Sequence, residues 1–213
     1  MPSPGLWTAF VVAAIALVLV PGPNTFFLLA RGLQQGRRAA VGAALGVELS
    51  TIVLASATAV GLSGLLAASE VAFQLVKWAG VAYLCYLGVK AFASSGEDHD
   101  VLPGTTRPAV RFGRQLLDGF TVGVSNPKVV LFFIAFLPQF VDPARPAGTQ
   151  LFLLGLTLAG IGLVYGVLLG QMAGGDRDWL GRRPGRPARL ERASGLAYLA
   201  LAGWAATTGR RSA

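Results

Sequence analysis

The chain has 213 residues, of which 54% are apolar and 13% charged, with a formal net charge of +8. That balance is too apolar and too poor in charge for an ordinary soluble domain. The positive charge sits in short segments between long apolar runs, which is a pattern of membrane topology and argues against a nucleic-acid face. One cysteine, Cys85, excludes an internal disulfide, and one histidine, His99 in a polar stretch, leaves little for His-based metal or triad chemistry.

Residues 5–30, 49–69, 129–141 and 146–175 contain no charged side chain. A bilayer core needs about 20 mostly apolar residues per helical crossing. The chain therefore reads as an all-α integral membrane protein. The first run lacks the positive segment of a signal peptide, since no Lys or Arg precedes Arg31.

Six transmembrane helices are expected, at about 5–31, 39–66, 71–92, 114–140, 148–173 and 190–208. The polar, Pro/Gly-rich stretch 94–113 divides a first half (1–93) from a second (114–213) within one transporter domain. The links after the first, third and fifth helices carry most of the Lys and Arg, including Arg37, Arg38, Arg107, Arg182 and Arg183. The positive-inside rule puts those links in the cytoplasm and both termini in the periplasm.

The first and fourth helices are interrupted, by "VPGPN" at 20–24 and "SNPKV" at 125–129. Proline removes an N–H and pushes the residue before it away from helical angles. Freed backbone groups persist in a membrane only when buried in protein or lining a wet cavity. The breaks lie about 16 and about 12 residues from their helix ends, roughly 24 Å and 18 Å at 1.5 Å per residue. Two halves of three helices run in opposite directions, so the expected architecture is a 3+3 inverted-topology repeat. Matching breaks in the two halves point to a transporter binding site. Both half-helix starts, near Asn24 and near Lys128, are expected to offer free N–H groups to an anion such as a carboxylate. The candidate substrate-binding residues are Pro21, Gly22, Pro23, Asn24, Glu48, Asn126, Pro127 and Lys128.

Glu48, in "LGVELSTIVLA", is the charge deepest in an apolar run. A carboxylate at mid-bilayer costs on the order of 2.5–3.5 kcal/mol by insertion scales. It should face the interior, where it can take a coupling proton, accept a substrate ammonium, or pair with Lys128. A structural ion pair or a neutral carboxyl is the plainer reading. Lys128 can meet a substrate carboxylate, pair with Glu48, or anchor its helix. Asp118 reads as an interfacial or salt-bridged residue. Glycines four apart, at 42/46, 119/123 and 162/166/170/174, let helix backbones approach closely and permit a homodimer.

The stretches "PGPNTFFLLARGLQQGRRAAVGAALG", "LVKWAGVAYLCYLGVKAF" and "FTVGVSNPKVVLFFIAFLPQF" resemble the LysE/RhtB family of bacterial amino-acid exporters. The likeness implies an inner-membrane secondary exporter of amino acids or related metabolites, coupled to proton entry and working without a cofactor. The family's breaks map onto Pro21, Pro23, Asn24, Asn126, Pro127 and Lys128. An acid at Glu48 resembles that in some relatives. The fifth helix, "FLLGLTLAGIGLVYGVLL", carries no carboxylate, which puts more weight on Glu48 as the proton-coupling candidate. The wider superfamily also includes metal-ion exporters, so a divalent-cation exporter stands as the alternative, with a purely structural membrane protein behind it. A membrane-embedded enzyme is not expected, because no histidine and no second carboxylate falls at depth.

Overall fold

A computed structural model describes residues 2–68 and 111–175, with single positions between 71 and 89 and at 199 and 203. Ser3 starts the first helix: its hydroxyl accepts from the Leu6 N–H at 3.4 Å, and Pro4 follows at the first helical position. This helix, α1, spans Pro4–Leu19 and ends at Val20, whose backbone is extended (φ −67°, ψ 117°), as the following Pro21 requires. The helix resumes at Pro23 as α2, Pro23–Gln35, and the two pieces meet at 54°.

Gly36 closes α2 with φ +86°, a left-handed backbone that suits glycine, and its N–H bonds the Gly32 carbonyl. The tight turn releases α3, Arg37–Ala68, an unbroken 32-residue helix. The next described helix, α4, runs Phe112–Val124 and stops at Ser125. After Asn126, the short α5 (Pro127–Leu131) passes into a π-helical turn, Phe132–Phe136, and a 3₁₀ turn, Leu137–Phe140. The Leu137 N–H reaches five residues back to the Phe132 carbonyl. Pro138 lacks the N–H of an α-helical bond and its ring crowds the carbonyl four residues earlier, which favours the widened turn before it. This second broken pair bends by 52°. The last helix, α6, spans Ala147–Gly175.

Two helices, α3 and α6, are long and apolar enough to cross a membrane unbroken, and each bent pair is long and apolar enough to cross as one broken span. The described residues thus form an all-α, multi-pass bundle with two to four spans. The expected third and sixth spans, 71–92 and 190–208, and most of the 94–113 segment, fall largely outside the described residues. Val12, Leu19, Val53, Val60, Val164 and Leu168 are exposed on α1, α3 and α6, as lipid-facing side chains should be.

Small residues set the helix spacing. A Cβ on Gly46 would strike the Leu116 backbone, and one on Gly119 would strike the Ala43 backbone, so α3 and α4 touch main chain to main chain. Gly166 faces Leu28 and Ala44, and Gly170 faces Ala40, which seats α6 against α2 and α3. The glycine seam read from spacing is therefore a packing device. A separate aromatic stack joins α1 to the second broken span. Phe10 packs on Phe132 and Phe140 with ring centroids 6.2 and 5.3 Å apart, and Phe136 lies 5.0 Å from Phe132 and 5.3 Å from Phe140. All four rings are buried.

Candidate functional site

The two breaks come together. A cavity of about 60 Å³ lies between them, lined by Gly22, Asn24 and Thr25 from the first break and by Asn126, Lys128 and Val129 from the second. Glu48 and Thr51 of α3 and Gly162 and Tyr165 of α6 complete its polar side. Leu17, Val18, Leu28, Val47 and Leu158 supply an apolar wall. At about 10–15 Å³ per water, the space holds only a few solvent molecules.

Five of the eight candidate residues line this space: Gly22, Asn24, Glu48, Asn126 and Lys128. Pro21, Pro23 and Pro127 do not. They shape the breaks, by removing backbone donors and fixing φ, and leave the lining to their neighbours.

The two half-helix starts differ, although the sequence suggests a matched pair. No side chain caps the start of α2 at Gly22. At the second break Asn126 caps its own helix, its Oδ1 accepting the Lys128 N–H at 3.1 Å. Pro127 has no N–H to offer, so the donors expected near Lys128 are spent or missing. The first break thus keeps a helix start without a side-chain cap, beside the cavity that Gly22, Asn24 and Thr25 line. The buried Oδ1 of Asn24 has no hydrogen-bond partner. An orphaned acceptor is costly unless a ligand or water completes it.

Lys128 spans the gap between the breaks. Its Nζ donates to the Val20 carbonyl at 2.6 Å, across 108 residues of chain. The carbonyl is available because the proline break ends the ladder there. Gly22 leaves room for the lysine stem: a Cβ at that position would lie 3.4 Å from Lys128 Cδ. Among the described residues no ion pair joins Lys128 to Glu48, the pairing the sequence left open.

Glu48 points into the bundle. Its carboxyl lies against α6 where Gly162 has no side chain, and a Cβ there would meet both carboxyl oxygens. Thr51, one turn along α3, is within hydrogen-bonding reach of the carboxyl while it donates to the Val47 carbonyl at 3.2 Å. The Tyr165 and Thr25 hydroxyls are within reach of each other across α6 and α2. Thr25, Thr51 and Tyr165 were not singled out by the sequence. The signal for Thr51 is a hydroxyl three residues after the lone carboxyl of α3; Tyr165 stands out only as a polar tip in an apolar run.

Toward the expected cytoplasmic end, Asp118 of α4 takes Arg31 of α2 at 2.7 Å and Arg114 at 3.0 Å. Gln115 donates to Gln35 beside them. Arg31 also lies over the Phe27 ring, 5.1 Å from its centroid. The salt-bridged reading of Asp118 holds.

Interrupted helices that meet around a small cavity with one polar side, within a membrane bundle, are the architecture of a transporter binding site. The chain belongs to the LysE type translocator family, whose model matches residues 15–209. It is 34% identical over 164 residues to the leucine efflux protein of Salmonella typhimurium, covering 75% of this chain and 74% of that one. It is 34% identical over 161 residues to the leucine efflux protein of Klebsiella pneumoniae, with the same coverage. An uncharacterized membrane protein of Vibrio cholerae is 32% identical over 169 residues, covering 79% of this chain and 80% of that one. No solved structure matches the chain. The protein is a LysE-family exporter of small metabolites in the inner membrane, and not an enzyme.

Proposed function

We propose that the chain exports neutral amino acids with aliphatic side chains, by alternating access driven by proton entry. The carrying observation is that one cavity gathers a carboxyl, an ammonium, two asparagine amides and a wall of Leu and Val side chains. An amino-acid zwitterion has the complementary set. Its carboxylate is matched by the uncapped start of α2 and by Lys128. Its ammonium is matched by Glu48 and by the unpartnered Asn24 Oδ1. Its side chain is matched by Leu17, Val18, Leu28 and Leu158. The efflux of leucine named for relatives in Salmonella and Klebsiella agrees with such a wall.

Glu48 is the coupling group in this reading, because it is the carboxyl that lines the cavity. Alternating access then requires the bundle to open on one side to load and on the other to unload. Six spans in two inverted halves, 1–93 and 114–213 joined by the cytoplasmic segment 94–113, give that motion its axis, with both termini periplasmic. The divalent-cation alternative draws no support from the site. Among the described residues no three His, Cys, Asp or Glu side chains come together, and Lys128 adds positive charge to the cavity.

The test is efflux from proteoliposomes over an amino-acid panel, with and without a proton gradient. Leucine, isoleucine and valine should leave fastest and the gradient should accelerate them. Glu48→Gln should abolish the acceleration and Asn126→Ala should slow transport. Transport unchanged in both variants would remove the site assignment.

A further inference from the structure

The bond from Lys128 to Val20 joins the two broken spans directly. One partner is an ammonium on the second break; the other is a carbonyl that the first break leaves without a helical donor. The bond lies beside the cavity, since Lys128 lines it and Gly22, which also lines it, packs against the lysine stem. An ammonium bonded to a neutral carbonyl has a stronger partner in any carboxylate that enters the same space, because both partners of the new bond are ionised and their opposite charges attract.

We propose that Lys128 is the latch of the empty transporter, and that it exchanges the Val20 carbonyl for the substrate carboxylate on binding. The exchange releases the first broken span from the second. The carboxylate is then the part of the substrate that unlocks the bundle, while the ammonium and side chain contribute affinity without unlocking. A ligand shifts a conformational equilibrium only through a difference in its interactions with the two states. Here the difference is the Lys128 bond, made to protein in one state and to ligand in the other. The proposal rests on the reading of the cavity as an amino-acid site.

The experiment uses three probes: L-leucine, 4-methylpentanoate (leucine without its amino group) and 3-methylbutylamine (leucine without its carboxylate). Nitroxides are placed at Leu19→Cys and Ile134→Cys, both exposed positions, in a Cys85→Ala background. Their separation is read by pulsed electron resonance, and affinity by equilibrium binding. In the parent protein, leucine and 4-methylpentanoate should add a longer-distance population, and 3-methylbutylamine should not. Lys128→Met should show the longer population with no ligand, bind leucine and 4-methylpentanoate at least tenfold more weakly, and bind 3-methylbutylamine as before. Lys128→Arg should restore the parent pattern. Lys128→Gln replaces Lys128→Met should the latter not be monodisperse.

A parent that responds to leucine, with Lys128→Met unchanged or weakened equally for all three probes, overturns the exchange and leaves the substrate reading standing. A parent that responds to neither leucine nor 4-methylpentanoate overturns both together.

Discussion

Arg31 and Asp118, 87 residues apart in sequence, meet at 2.7 Å and tie the second piece of the first broken span to the first piece of the second. The pair is mostly shielded, with side chains 19% and 23% exposed, so it lies between a screened surface contact and a buried one. Asp118→Asn should therefore cost about 1–3 kcal/mol. Thermal unfolding in detergent of Arg31→Ala, Asp118→Asn and the double variant measures it. Single-variant losses that simply add would show that the contact contributes nothing.

Asn126 has two roles that can be separated. Its Oδ1 caps α5 and its amide lines the cavity. Asn126→Ala should lose about 1 kcal/mol of stability with the cap. Asn126→Asp keeps the acceptor and should retain the stability, while placing a negative charge where a carboxylate is to bind. Melting temperature and leucine efflux measured on both variants should therefore rank them in opposite orders of harm. Equal melting temperatures would remove the capping role.

Gly162 is a more selective probe than a conventional core position. The alanine methyl would meet the far end of Glu48, which can swing aside, so Gly162→Ala should fold with a loss of about 1 kcal/mol or less. The displaced carboxyl should raise the KM for leucine about tenfold, equivalent to about 1.4 kcal/mol. Gly160→Ala, two residues away, meets nothing within 4 Å and should leave transport as it is. Similar kinetics in both variants would show that the Glu48 carboxyl is not held by α6.

Phe136 lies between Phe132 and Phe140 and is 1% exposed. Phe136→Ala should lose on the order of 3 kcal/mol through the void left behind, and Phe136→Leu about 1.5 kcal/mol or less. Reversible unfolding in mixed micelles would give both values. Equal losses would mean that leucine does not refill the space and that the ring contacts themselves carry the stability.

The breaks, the inward carboxyl and the glycine packing were legible because each follows from local chemistry. Proline at 21, 23 and 127 cannot keep the ladder, a lone Glu48 cannot face lipid, and glycines four apart share a helix face. What stayed hidden depends on which segment lies opposite. Nothing local to Lys128 says that its ammonium reaches the Val20 carbonyl, because that pairing is set by how the two broken spans cross. Nor does the motif distinguish the two half-helix starts. Both carry asparagine, yet Asn126 turns back onto its own backbone, whereas Asn24 stands one residue inside α2 and leaves the cap position to Gly22. The π turn was equally hidden. Pro138 announces a disturbance, but not whether the chain widens, kinks or ends there.

The bare face of α6 has one more result. Where Gly162, Gly166, Gly170 and Gly174 meet the bundle, α6 is notched, and Glu48, Leu28, Ala40 and Arg37 sit in the notches. Such a joint resembles a row of detents more than two planed boards. Sliding along it must lift those side chains out, so α6 is indexed to its neighbours in steps of about one helical turn.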